Sequence, residues 1–176
     1  LTEARAAGQE LVPNDAFRAA IKWLKRALSA PLKNTPGYGG DIGYELSTRA
    51  YIAYVLTLNG EPPLGWMQFL RDQGDTLNTS ARIFLAGAYA LAEGKPDALR
   101  VLGTVPFKEN SFGWSFESAS RNEALRLLMW VQVEPFAKET AELAARVLAE
   151  GQNGRWTNTQ ENTVAVMALG LYAEKT

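Results

Sequence analysis

Apolar residues recur along this chain at helical intervals, and the segments that carry them alternate between two kinds. Phe17, Ile21, Leu24 and Leu28 share one face, opposite Lys22, Lys25 and Arg26, which predicts an amphipathic helix that Asn14 can cap. Pro31 and residues 34–40 end it. The next segment, 41–58, is rich in Ala, Tyr and Leu and nearly free of charge past Arg49, so it should be buried on most sides. Asn59-Gly60 and Pro62-Pro63 stop it. A short helix over 64–73 precedes a long one over 78–93, in which Ala81, Leu85, Ala88 and Ala92 share a face and which Gly94 terminates. Pro96 sits where proline is tolerated, in the first turn of another short helix running to Leu102. A helix over 118–133 is stopped by Pro135, which can itself open an amphipathic helix to Ala149, with Ala137, Ala141, Ala144 and Leu148 on one side. Gly151 and Gly154 close that helix, and a small-residue helix over 163–173 follows.

One more polar, often shorter helix is thus followed by one less polar helix, in about four rounds. A glycine/aromatic turn with a Ser, Thr or Asn cluster opens the less polar member at Tyr38, near Leu77, at Phe112 and at Gly154. Units of this kind bury their apolar faces only by stacking on neighbours. Short connections make the pairs antiparallel. Ser120-x-x-Glu123 and Thr157-x-x-Gln160 read as capping boxes that set the starts of two of the less polar helices. Small residues along those helices let backbones approach closely, and the less polar set should line the inside of a curved or closed ring. The expected fold is all-α, an α/α toroid of alternating inner and outer helices, present as a partial ring of about four pairs. It should form a single domain over 1–176, almost free of strand.

Composition agrees with a packed domain and removes much chemistry. The hydrophobic fraction of 47% suits a sizeable core, and a net charge of −1 supplies no basic face for nucleic acid. With no Cys and no His, Ser-His-Asp and Cys-His nucleophile systems, thiolate zinc sites and imidazole ligands are excluded. No cofactor and no metal is expected. No signal peptide and no run of about 18 apolar residues is present to decide the compartment. The chain opens at Leu1 rather than Met, and we expect its native start to lie upstream.

Several runs, taken in order, resemble the thioester domain of bacterial alpha-2-macroglobulins: Tyr51 to Leu56, Ala81 to Leu91, Arg121-Asn122-Glu123-Ala124-Leu125, and Trp156 to Glu161 followed by Ala168-Leu169. The resemblance covers 16–176 and rests on several weak motifs rather than one diagnostic signature. It implies the C-terminal part of an α/α toroid of about six helix pairs. The intact proteins are large cell-envelope protease traps, in which bait cleavage triggers rearrangement and an internal Cys–Gln thioester captures the protease. The resemblance therefore implies a structural and interaction domain that is not itself an enzyme. Its partners would be proteases, met through the full-length protein, and neighbouring domains of the same chain, in the periplasm or at the cell envelope. The decisive Cys-x-Glu-Gln motif has no counterpart, since Cys is absent and Gln9-Glu10 and Gln160-Glu161 run in the reversed order. Either the sequence starts downstream of the thioester, or it comes from relatives that have lost it. An arc lacking two pairs would leave apolar ends, which we expect to be covered by residues 1–12 folding back or by self-association through the open toroid ends.

Two enzymatic alternatives arise from individual residues, and a peptide-binding helical scaffold is a third reading. Phe112-Gly113-Trp114 and Gly151 to Trp156 resemble the Gln/Gly/Trp repeats of isoprenoid cyclases, but the aspartate-rich motif is missing, and only Asp72 and Asp75 lie within three positions of each other. Trp114 and Trp156 are expected instead to plug seams between helix pairs. Asp41, Glu45, Glu117, Glu123 and Glu161 sit near the starts of the less polar helices and could ring one rim, as acids do in α/α-barrel glycosidases. Helix starts favour acids in any case, and capping accounts for Glu123. Arg49, Arg82 and Arg121 would pair with these acids in a structural polar rim. Lys22, Lys25 and Arg26 read as a solvated outer face. No residue is assigned a catalytic, cofactor-binding or metal-binding role.

Overall fold

The computed structural model describes residues 13–32, 42–93, 98–99, 118–151 and 153–176. Its helices are α1 (Asn14–Ser29), α2 (Ile42–Leu58), α3 (Leu64–Asp72), α4 (Thr79–Glu93), α5 (Ala119–Val133), α6 (Lys138–Glu150) and α7 (Thr159–Lys175), with a 3₁₀ turn at Gly74–Thr76. No strand occurs among the described residues. The turns at Tyr38 and Phe112, Trp114, and most of the helix expected from Pro96 to Leu102 lie outside them.

Polarity sorts these helices into two layers. The less polar α2, α4, α5 and α7 stack side by side in chain order; α1 lies against α2, α3 against α2 and α4, and α6 against α5 and α7. This is the inner and outer alternation of an α/α toroid, seen as an arc. Small residues permit the close stacking. Nearly all of α4 is buried, and a Cβ added at Gly87 would run into Met129 Sδ of α5 while lying 3.4 Å from Tyr54 Cε2 of α2. Past that crossing, Tyr54 Oη donates to Gln132 Oε1 (3.1 Å) and accepts from Gln132 Nε2 (2.9 Å), tying α2 to α5. The main core runs through Leu46, Met67, Leu70, Leu85, Leu127 and Val147, and Leu99 also joins it. A smaller cluster of Leu28, Ile52 and Leu56, with Ile21, Leu24 and Trp66, seats α1.

Helix ends depart from the expected caps in a consistent way. Asn14 is the first helical residue of α1 rather than its cap; Pro13 holds that position without a side-chain bond. Ser118, not Ser120, caps α5, its hydroxyl accepting from Arg121 N at 3.1 Å. Asn158, not Thr157, caps α7, its Oδ1 accepting from Glu161 N at 2.9 Å. Pro135 does not open α6, because Ala137 is extended and the helix begins at Lys138, with Thr140 Oγ1 donating back to Glu134 O at 2.7 Å. At the end of α2 the Asn59-Gly60 stop behaves as expected. Gly60 takes φ +76°, its N–H donates to Thr57 O, and Glu61 N–H donates to Leu56 O, each at 3.0 Å.

Candidate functional site

The inner helices α2, α4 and α5 bring their N-terminal turns to one rim. Cross-bonds mark this register. Asn78 N–H reaches Ser47 Oγ at 3.5 Å, and Ser80 Oγ donates to Asn122 Oδ1 at 2.8 Å while accepting from Arg121 Nη1 at 2.6 Å. Asn78 Oδ1 also accepts from Ala81 N at 2.8 Å, capping α4. Asn122 is 1% exposed, and its Nδ2 is buried without a hydrogen-bond partner among the described residues. Ser47, Asn78, Ser80 and Asn122 were not singled out from the sequence; the Ser/Thr/Asn clusters at the turns were the signal.

The rim acids that the structure describes, Glu45, Glu123 and Glu161, do stand near helix starts, but each is engaged locally and they do not converge. Glu45 is 3.6 Å from Arg49 Nη2. Glu123 does no capping: Oε1 pairs with Arg126 and Oε2 accepts from Arg146 Nε of α6 at 3.1 Å, so it faces the outer layer. Glu161 is buried and its Oε2 accepts from Thr157 N–H at 2.9 Å. Asp41 and Glu117 lie outside the described residues.

Arg82 departs from the expected rim pairing, whereas Glu45 does pair with Arg49. The Arg49 guanidinium, 3% exposed, donates to Leu28 O (2.6 Å) and Ala30 O (2.8 Å) at the end of α1 and lies 4.8 Å from the Trp66 ring centre. One side chain thus satisfies orphan carbonyls of α1 and packs beneath α3. Arg82 turns to Asp75 (3.9 Å) and Leu77 O (3.2 Å), and Arg121 to the Ser80 hydroxyl. Asp72 accepts from Gln68 Nε2 at 3.3 Å, so Asp72 and Asp75 serve different partners. Among the described residues no group of three His, Cys, Asp or Glu side chains could hold a metal.

Trp156 plugs a seam, as expected. Its Nε1 donates to Val147 O at 3.2 Å, and an added Cβ on Gly151 would lie 3.0 Å from its Cζ2, so the indole rests directly on that glycine. Asn162 clasps the same tryptophan, accepting from Trp156 N (3.2 Å) and donating to Trp156 O (2.8 Å). Lys22, Lys25 and Arg26 are exposed, with Lys25 paired to Glu61.

An open groove of about 620 Å³ is lined by Ala30, Pro31, Leu32, Pro63, Trp66 and Phe69, together with Gly65. Among the described residues no titratable side chain lines it. The pKa of Tyr89 is raised by burial, with Arg71 opposing. Its hydroxyl is buried and has no hydrogen-bond partner among the described residues.

These features define a class: an all-helical α/α-toroid arc whose polar groups hold helices to one another. Solved structures of the same fold are those of bacterial alpha-2-macroglobulins. The native Escherichia coli protein, spanning domain MG7 to the C-terminus, superposes with a TM-score of 0.75 at 21% identity over 96% of this chain. The E. coli protein activated by porcine elastase gives 0.73 at 23% identity over 97%, and the Salmonella protein reacted with methylamine 0.73 at 20% over 95%. This chain spans 28%, 16% and 11% of those chains, respectively. No family model and no curated protein sequence matches.

Proposed function

We propose that this chain is the C-terminal part of the thioester-type toroid of a bacterial alpha-2-macroglobulin-like protease trap, at the cell envelope. The observation that carries this reading is the superposition of 95–97% of the chain on such proteins from two bacteria, in agreement with the motif order in the sequence. The chain acts as a structural and interaction domain. Among the described residues Arg49, Glu123 and Arg121 tie one helix to another, as a scaffold requires. In the parent protein, cleavage by a protease drives a rearrangement that this arc transmits as a rigid body. Covalent capture, where it occurs, belongs to residues outside this chain.

The parent protein, treated with elastase or trypsin, should change its hydrodynamic radius after a limited set of cuts and should shield protein substrates from the captured enzyme. Unchanged shape and full protease activity after cleavage would overturn the trapping role. The chain alone should form no ester or amide adduct with an active protease and release no thiol after methylamine. An adduct seen by denaturing mass spectrometry would contradict the assignment of capture to other residues.

A further inference from the structure

The chain contains two Asn-Gly pairs, the dipeptide most prone to cyclise because glycine places no Cβ in the way of the attacking nitrogen. The fold treats them differently. At Asn59-Gly60, the Asn59 Nδ2 donates to Val55 O at 2.7 Å, and the Gly60 N–H is held by Thr57 O at 3.0 Å within the stop that ends α2. Both reacting groups, the side-chain amide and the following backbone nitrogen, are tied down. At Asn153-Gly154 both residues are exposed, and neither group has a hydrogen-bond partner among the described residues. Asn153 has φ +54° and Gly154 φ +74°. The left-handed conformation at Asn153 carries a small steric cost, which leaving it relieves.

We infer that Asn153 is a site of spontaneous self-modification, converting to aspartate and isoaspartate through a succinimide, while Asn59 is protected by its fold. In the first step the Gly154 backbone nitrogen loses its proton and attacks Asn153 Cγ. A C–N bond forms to close the ring, the Cγ–Nδ2 bond breaks, and ammonia leaves. Water then opens the ring at either carbonyl. Attack at the α-carbonyl reroutes the main chain through Cβ and leaves isoaspartate with one extra backbone carbon. Nothing is oxidised or reduced, and water is the sole co-reactant.

The position gives the change a structural consequence. The turn feeds straight into Trp156, whose indole is fixed by Gly151 and Val147 O and whose backbone is clasped by Asn162. An additional backbone atom three residues before that plug shifts the approach to the cap of α7, so the aged chain should hold α7 less firmly.

The test compares native and urea-unfolded protein incubated in parallel at mildly alkaline pH, with peptide mapping and isoaspartyl methyltransferase labelling at each site. Unfolded, both pairs should convert at similar rates. Native, Asn153 should convert at least about tenfold faster than Asn59. Equal native rates at the two sites, or protection of both, would overturn the inference. An Asn153→Gln variant, whose longer side chain closes the ring poorly, should abolish labelling at the turn, and its melt, a little lower when fresh because Gln suits a positive φ less well, should not fall further on ageing. Aged wild-type protein should show a lower melting temperature and altered tryptophan fluorescence, and aged Asn153→Gln protein neither.

Discussion

Gly87 sits where three inner helices come closest, and its missing side chain is what lets α4 lie between Tyr54 and Met129. Gly87→Ala gains helix propensity on paper but must push the Met129 thioether aside. Overpacking of this kind costs about 1–3 kcal/mol, and we expect a lower urea midpoint with an unchanged slope. Tyr89 poses the opposite case, a side chain whose polar atom gains nothing where it is. A buried hydroxyl without a partner is destabilising by roughly 1–3 kcal/mol, so Tyr89→Phe should be neutral or stabilising at neutral pH. The same substitution should change the alkaline limb of stability. Burial raises the folded pKa of Tyr89, so its contribution is intact below the unfolded value of about 10 and drains away as pH rises through the folded one. Chemical denaturation across that range should show a shallower decline in Tyr89→Phe than in wild type. An equal decline would mean that other groups govern it.

At the scale of the helix, the starts of α1 to α5 were legible in the sequence to within a residue, those of α6 and α7 were misplaced by three and four residues, and the capping chemistry was read less well. Ser118 and Ser120 are both serines ahead of an apolar run, and Ser120 has Glu123 at the box spacing; only the fold shows that Glu123 is drawn away by Arg126 and Arg146. Ser118→Ala should therefore cost about 1 kcal/mol and Ser120→Ala close to nothing, read from paired thermal melts. The reverse order would restore the box to Ser120. Pro135 misled for a related reason, since proline suits a first helical turn but here belongs to the bend that Thr140 closes onto Glu134. Arg49 could be read as buried from its place in an uncharged helix, but its partners are carbonyls on another element, which leave no mark in sequence. Arg49→Ala strands those carbonyls of α1 and should detach it, at a cost of about 3 kcal/mol. Proteolysis at the α1–α2 junction would report this.

For the whole molecule, the alternation of polar and less polar helices carried the architecture, because layer membership depends on the apolar fraction of a segment and not on its partners. The rim ties were hidden because they join residues about 40 positions apart, as Ser80 and Asn122 are. The two outermost described inner helices carry exposed apolar side chains, Tyr44 and Tyr51 on α2 and Val166 and Met167 on α7, with Val166 62% exposed. If further inner helices cover these side chains in the parent protein, the chain alone should self-associate. Light scattering over a concentration series should show growth that Val166→Lys with Met167→Lys reduces without loss of helix content. A wild-type chain that stays monomeric throughout would mean that four pairs suffice to close a domain.

The side-by-side stacking also has a dynamic meaning. Each inner helix is braced mainly by its immediate neighbours, so opening need not engage the entire arc at once, and backbone amides should report a gradient rather than a single event. Deuterium uptake should be slowest in α4 and α5, which are flanked on both sides, and fastest in α1 and at the free end of α7. Such an object loosens from its ends inward, as a stack of coins tips from the last coin, while its middle keeps its shape.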